Sequence, residues 1–536
     1  LARIHHLSDL HLLAEGERQD RLLKSLVAAL AREASSAGEV PELLVVTGDV
    51  FDSATVARHK AVAHFTELHA AIMEAYGREV PTVVLPGNHD RRRGGVIGPH
   101  RPQLFHALRA AVDPARVHVA GCKTPILAEI VPESFHRLAA HVVAFDSTYL
   151  PRGLFSAGGI IRLEDLLRVA ATIGDDAKDR PLILLIHHHL IPTPLTDVSE
   201  IEPERSNGLG RWALSKLLPA LVANAEHEEL TMTALGAGTA LTTLHAFGRA
   251  VMILHGHKHY PTARLLDGTL EGSGDLLITS AGTAGRSERF QPTRQPEAPR
   301  LWPSFNVVHL DDDRVTIDAV SFSPKNSKRS SARRRLVDAT RHEARWHCAP
   351  VPLAVVGTSP RVLLDEVVCT LVPSRDAPLD LWDVRCERKV ERISGARLRR
   401  YSEFIHGLPG ARIREVDAGG TARPATMATA RLDLALDATT TYRLEDGLCR
   451  SMSAASRAYG RGTAYEWVGL LSRYGAARAR LVLHHGRDVR PFASVTDLTT
   501  GREQPATLAR SDGVSTLEVA HCAPRTLLRT YWELEA

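Results

Sequence analysis

Five short polar clusters, each at the end of a strand-length run, constrain this 536-residue chain more than any other feature. They are Ser8-Asp9-Leu10-His11, Gly48-Asp49-Val50-Phe51-Asp52, Gly87-Asn88-His89-Asp90, His187-His188-His189 and Gly256-His257-Lys258-His259. The runs before them are Arg3 to Leu7, Glu42 to Thr47, Thr82 to Leu85, Leu182 to Ile186 and Val251 to Leu254. Near-continuous Leu and β-branched runs read as strands buried on both faces. Between them Leu22, Leu23, Leu26, Val27 and Leu30 recur at helical spacing, and a second helical stretch runs from about Ala54 to Tyr76. The pattern predicts α/β layering. Such a sheet gathers its active site where its strands end. One Asp after a strand is more often a turn former or a helix cap, and a lone His is more often a satisfied hydrogen-bonder. Five strand ends that all deliver Asp, Asn or His, where a core would want apolar side chains, are not accounted for in that way.

Carboxylates and imidazoles in this mixture suit borderline divalent ions such as Mn, Fe, Zn, Co or Ni. More than four ligands exceed one tetrahedral site. Seven candidates imply two ions that share a bridging group.

The order D-x-H, G-D-x-x-D, G-N-H-D, a strand-end histidine and then G-H-x-H resembles that of the calcineurin-like metallophosphoesterases, over about residues 1–325. The resemblance implies a four-layer αββα sandwich, two mixed sheets packed face to face between helices, with a dinuclear site at one edge. Carried onto this sequence, it makes Asp9, His11 and His259 ligands of a first ion, and Asn88, His257 and a strand-end histidine ligands of a second. Asp49 resembles the bridging carboxylate. His187, directly after Ile186, is the preferred strand-end ligand and His188 the runner-up. His89 resembles the family's catalytic histidine, Asp90 its orienting partner, and Asp52 an acid that shapes the bridging loop. Arg91 to Arg93 form a basic cluster that could meet a second phosphate or a backbone, although solvent-exposed loop arginines are the commoner case.

The implied chemistry is phosphoester hydrolysis by a hydroxide held between the ions, with the same ions neutralising charge on the phosphoryl oxygens. The triple histidine His187-His188-His189 followed by Leu190-Ile191-Pro192 resembles the corresponding segment of bacterial cyclic-nucleotide and glycerophosphodiester enzymes of the family, which favours a phosphodiesterase acting on a nucleotide or another small diester. The opening His6 to Leu12 is also similar to DNA-repair nucleases of the Mre11/SbcD type. A phosphomonoesterase, protein phosphatases included, is a third reading, and a binding or scaffold protein with a vestigial site a fourth. A closed pocket bordered by residues 190–210 would favour small substrates, and an open basic trench polymers.

Charge separates these only weakly. Lys+Arg of 66 against Asp+Glu of 62 leaves +4, so no global electropositivity calls for a polyanion. No run reaches the roughly 18 to 20 apolar residues of a membrane span, and the N-terminus lacks a signal-peptide pattern. The six cysteines include no C-x-x-C pair. Structural zinc and a disulfide framework are disfavoured, and the expected setting is the reducing cytoplasm.

The hairpin Asn306 to His309 and Arg314 to Val320 is expected to close the first domain. Lys325 to Arg335, with six basic residues and no acidic one, reads as part of a linker over 326–340. Residues 341–536 read as a mostly β accessory domain with a sandwich as one option, one helix near Ala464 to Tyr474, and no chemical motif. Such a domain could serve a protein partner or an oligomer.

Overall fold

The computed structural model describes residues 2–349 except 14–16, 37–39, 93–99, 123–126, 150–157, 175–179, 192–232, 258, 260, 269–272, 286–302 and 324–330. Beyond these it describes the strands of residues 362–534 and a few residues between them. The chain forms two compact units, the second made up largely of Pro352–Ala536.

In the first unit, β1 (Ala2–Leu7), β2 (Leu43–Thr47), β3 (Thr82–Leu85) and β4 (Val117–Val119) pair in parallel. β1 also meets the later strands of its sheet, all antiparallel, giving the order β14-β13-β12-β11-β1-β2-β3-β4. Those four are β11 (Ser304–Leu310), β12 (Arg314–Ser321), β13 (Ala332–His342) and β14 (Arg345–Cys348). The second sheet follows the order β5-β6-β7-β8-β10-β9. It comprises β5 (Ala128–Ile130), β6 (His141–Phe145), β7 (Leu182–Ile186), β8 (Val251–His255), β9 (Thr262–Leu266) and β10 (Leu276–Ser280). Its four central strands are parallel, and β5 and β9 run antiparallel at the edges.

The period-two alternation of the strands sorts their side chains into layers. Leu43 and Val45 of β2 join Ile183 and Leu185 of β7 and Met252 and Leu254 of β8 in one core between the sheets. The intervening Leu44 and Val46 pack outward against α1 (Glu17–Ser36), α2 (Arg58–Tyr76) and α4 (Gln103–Ala111). A four-residue turn, α3 (Asn88–Arg91), precedes α4. On the far side Leu182, Leu184 and Ile186 pack against α5 (Leu163–Ile173) and α6 (Ala237–Ala246). Four layers in the order α, β, β, α result, as expected. Each fully buried Leu or Val in this frame contributes about 2 kcal/mol, so the strand ends stand on a rigid support.

The segment 326–340 is not simply a linker. β13 pairs with β12 from Arg314↔Thr340 to Ser321↔Ala332, and its Leu336, Val337 and Ala339 join the inter-sheet core. Two of its arginines are neutralised from other elements: Arg335 Nε lies 2.5 Å from Asp318, and Arg333 pairs with Glu33 of α1 and with Asp318 at 3.6 Å. Composition read locally misses those acidic partners. Lys325, Lys328 and Arg329 lie outside the described residues.

The second unit, as described, contains strands in sheets of seven, three and four. Ala464–Ser472, expected as a helix, is a strand antiparallel to Thr526–Leu534, in register from Ala464↔Leu534 to Ser472↔Thr526. A short apolar run fits either conformation, and the partner strand decides. Residues 473 and 474 of that expected helix lie outside the described residues. Among the described residues, no helix is long and apolar enough to cross a membrane.

Candidate metal centre

The loops after β1, β2, β3, β7 and β8 meet at one edge of the first unit. The first two zip together through Asp9 N to Gly48 O (3.1 Å), His11 N to Asp49 O (2.9 Å) and Leu12 N to Val50 O (2.8 Å). Asp9, His11, Asp49, His257 and His259 all have positive φ, between 46° and 75°. A non-glycine residue there costs about 1–2 kcal/mol, least for Asp, Asn and His, and such strain gathers at functional sites. Glycine is required beside them. Gly48 has φ 91°, and a Cβ on it would overlap the His187 ring, as one on Gly87 would overlap Asp49.

Two groups of side chains form. In the first, His259 Nε2 lies 3.1 Å from His11 Nε2 and 3.2 Å from Asp9 Oδ1. In the second, Asn88 Oδ1 is 3.0 Å from both His187 Nε2 and His257 Nδ1. The Asp49 carboxylate stands between them, with Oδ1 3.5 Å from His187 Nε2 and Oδ2 3.9 Å from His11 Nε2. His89 N donates to Asp49 Oδ1 at 2.8 Å, and His257 N to Asp9 Oδ2 at 3.1 Å.

This donor set fits divalent ions. Nitrogen and oxygen lone pairs converge in both groups, and His257 Nε2 is buried without a hydrogen-bond partner. Ligand atoms of Asp9, His11, Asp49 and His259 lie within 4.8 Å of one another, as do those of His187, His188 and His257. Burial, then the neighbouring His188, His187, His189 and His259, holds His257 well below the usual imidazole range, hence neutral. Burial alone would raise the Asp9 carboxyl, but His259, His187 and His11 more than offset it and keep it ionised.

The two strand-end histidines occupy different positions. His187 faces Asn88 and Asp49, whereas His188 packs on the His257 ring at 4.7 Å. His89 stands edge-on to His11, ring centroids 4.8 Å apart. Its Nδ1 bonds the backbone carbonyl of Asp52 at 2.8 Å.

Asp90 is therefore not what orients His89. Its carboxylate accepts from Gly87 N (2.7 Å), Phe51 N (2.8 Å) and Val50 N (3.1 Å), tying two loops together. Burial and the Asp49 carboxylate push Asp90 up to about 8, against those three donors. The Asp52 carboxylate lies 3.5 Å from His11 Nδ1, and Asp52 N donates to Leu12 O at 3.0 Å. Arg91, read as part of a basic loop cluster, is 1% exposed and ion-paired with Asp146 at 3.0 Å. Arg92 is also buried, and Arg93 and residues 192–210 lie outside the described residues.

A sixth strand end went unread in the sequence. After β10, Thr283 Oγ1 donates to Asp9 O (2.9 Å), Ala284 N to Ser8 O (3.0 Å) and Gly285 N to Asp9 O (3.1 Å). The only signal there is the small-residue string Ser280-Ala281-Gly282-Thr283-Ala284-Gly285, which lets one loop pack beneath another.

Comparison with known proteins gives a sequence-profile match to the family described as calcineurin-like phosphoesterase over residues 2–261. No curated protein matches. Among solved structures the chain is similar to a single mutant of Vps29 from Entamoeba histolytica at 11% identity and TM-score 0.23, over 63% of this chain and 98% of that one. Vacuolar protein sorting 29 of Cryptosporidium parvum matches at 12% identity and TM-score 0.23, over 62% and 97%. Vps29 of Chaetomium thermophilum matches at 9% and 0.24, over 64% and 100%.

Proposed function

We propose, from the match of residues 2–261 to the calcineurin-like phosphoesterase family, that this chain hydrolyses phosphoesters with two divalent ions, and that its substrate is a diester of a nucleotide or another small molecule. Asp9, His11 and His259 would hold the first ion, and Asn88, His187 and His257 the second. Mn, Fe, Zn, Co and Ni all suit these donors. The observation that carries the reading is the Asp49 carboxylate standing between the two groups, 3.5 Å from His187 and 3.9 Å from His11.

When bound, such ions acidify water and neutralise the phosphoryl oxygens. The remaining work falls to the chain. With Nδ1–H of His89 donating to the Asp52 carbonyl, Nε2 is the nitrogen that meets substrate, and only as an imidazolium does the ring carry there a proton for the leaving oxygen. With Asn88 Oδ1 set between two histidines, the amide hydrogens are the part of that side chain that serves a phosphoryl oxygen.

A diester carries one charge fewer than a monoester. Arg91 is committed to Asp146 and Arg92 is buried, so neither offers an exposed guanidinium to a terminal phosphate or a polymer backbone.

The test is to strip the protein of metal, restore Mn, and compare bis-p-nitrophenyl phosphate with p-nitrophenyl phosphate, using His89→Ala as control. Preferential diester cleavage, lost in the variant, is expected. A preference for the monoester would move the assignment to a phosphatase, and inactivity on both would refute the diesterase.

A further inference from the structure

The loop after β6 supplies none of the seven candidate ligands, yet it reaches the second group twice from behind. Asp146 is 3% exposed, and its Oδ2 accepts from Arg91 Nη2 at 3.0 Å. The same guanidinium donates to Gly121 O at 2.6 Å and Pro102 O at 3.3 Å, and lies 5.2 Å from the centre of the Phe105 ring. Arg91 is the last residue of the turn that carries Asn88 and His89. Four residues in three other segments thus fix one end of that turn. Asp146 is itself held, because Thr148 donates to Oδ1 through Oγ1 (2.5 Å) and N (3.0 Å).

Next in the chain, the buried Ser147 Oγ lies 2.7 Å from His188 Nδ1 and accepts from His188 N at 3.3 Å. This fixes the His188 ring, which stands edge-on to His187 at 5.0 Å and against His257 at 4.7 Å.

We propose that Asp146 and Ser147 are positioning residues for the second ion: Asp146 sets Asn88 through Arg91, and Ser147 sets His187 and His257 through His188. The inference rests on the two-ion reading above. Neither residue reaches Asp9, His11 or His259 through these bonds, so their influence is confined to one of the two ions. Side chains that orient ligands typically change metal affinity by about 10–100-fold when removed.

The experiment titrates Mn into metal-free wild type, Asp146→Asn and Ser147→Ala, by calorimetry and by the electron paramagnetic resonance signature of a coupled ion pair. It is run at a temperature where circular dichroism shows each protein fully folded. Wild type should take up two ions. Each variant should keep one at wild-type affinity and bind the other about 10–100-fold more weakly, with loss of the coupled-pair signal. Asp146→Asn leaves a buried guanidinium without its charge partner and could fail to fold; Ser147→Ala removes only a hydroxyl and keeps the test decisive. Variants that bind both ions as wild type does, or that weaken both equally along with a lower melting temperature, would overturn the inference. Wild type that binds no pair of ions would overturn the two-ion reading itself, a distinguishable result.

Discussion

His187 Nδ1 donates to the carbonyl oxygen of Thr47 across 2.7 Å, which fixes the tautomer and leaves Nε2 as the lone pair aimed at Asn88 and Asp49. A strand-end backbone of one sheet thereby orients a candidate ligand from the other, the arrangement metal-binding histidines generally use. His187→Ala should therefore lose the second ion outright, measured as metal content after dialysis. His188→Ala should retain both ions, with the second weakened. Loss of an ion in His188→Ala alone would exchange their roles.

His89 touches the first group only at its edge. His89→Ala is expected to lower kcat by about 10²–10⁴-fold while metal stoichiometry stays at two. The decisive comparison is kcat against metal content in the same sample. A proportional fall in both would make His89 a ligand.

Asp90 accepts from three backbone N–H groups through both carboxylate oxygens, and an amide has only one oxygen that accepts. Asp90→Asn points an NH2 at one or more of those donors, each buried loss worth about 1–3 kcal/mol. Thermal melting of the metal-free protein should show a lower midpoint. Since the loops it joins carry Asp49 and Asn88, affinity for both ions should fall.

The legible part of the site was the part encoded locally. A strand-length run followed at once by Asp, Asn or His can be read without knowing what lies beside it, and the structure brings all five such ends together. His187 is likewise placed locally, since it directly follows the last residue of β7. What could not be read depends on partners distant in sequence. Arg91 looks like a surface charge until Asp146, 55 residues on, is placed against it. Arg333 and Arg335 of β13 look like part of a linker until Asp318 and Glu33 neutralise them. Asp90 looks like a partner for the neighbouring His89, but its bonds run to Val50 and Phe51 instead. Ala464–Ser472 carries no local cue that outweighs its partner strand.

Three buried histidines make the metal-free protein sensitive to acid. Burial, with Arg3 next, lowers His5 to about 3; burial, with His255 next, lowers His6 to about 3; burial lowers His255 to about 4. In the unfolded chain each titrates at the ordinary imidazole value of 6.5. Between those values the unfolded chain binds more protons, so stability is full above about pH 6.5 and falls as the pH drops toward 4. Urea unfolding in the presence of a chelator should show this slope. His5→Phe, which also strips Tyr76 OH of a partner at 2.7 Å, should be less stable at neutral pH yet show a shallower slope. An unchanged slope would remove His5 from the account.

Asp9, Asp49 and Asn88 hang from one sheet, and His187, His257 and His259 from the other. Beneath the bonds that cross between the loops, the separation of these two halves is set by the apolar layer that Val45, Leu185 and Leu254 share. That layer acts as a spacer gauge. Close-packed interiors transmit changes of even one methylene, so a trimmed side chain there alters the span between the ligand sets without touching either. The geometry of the candidate metal centre is thus set from inside the protein, by residues outside the site.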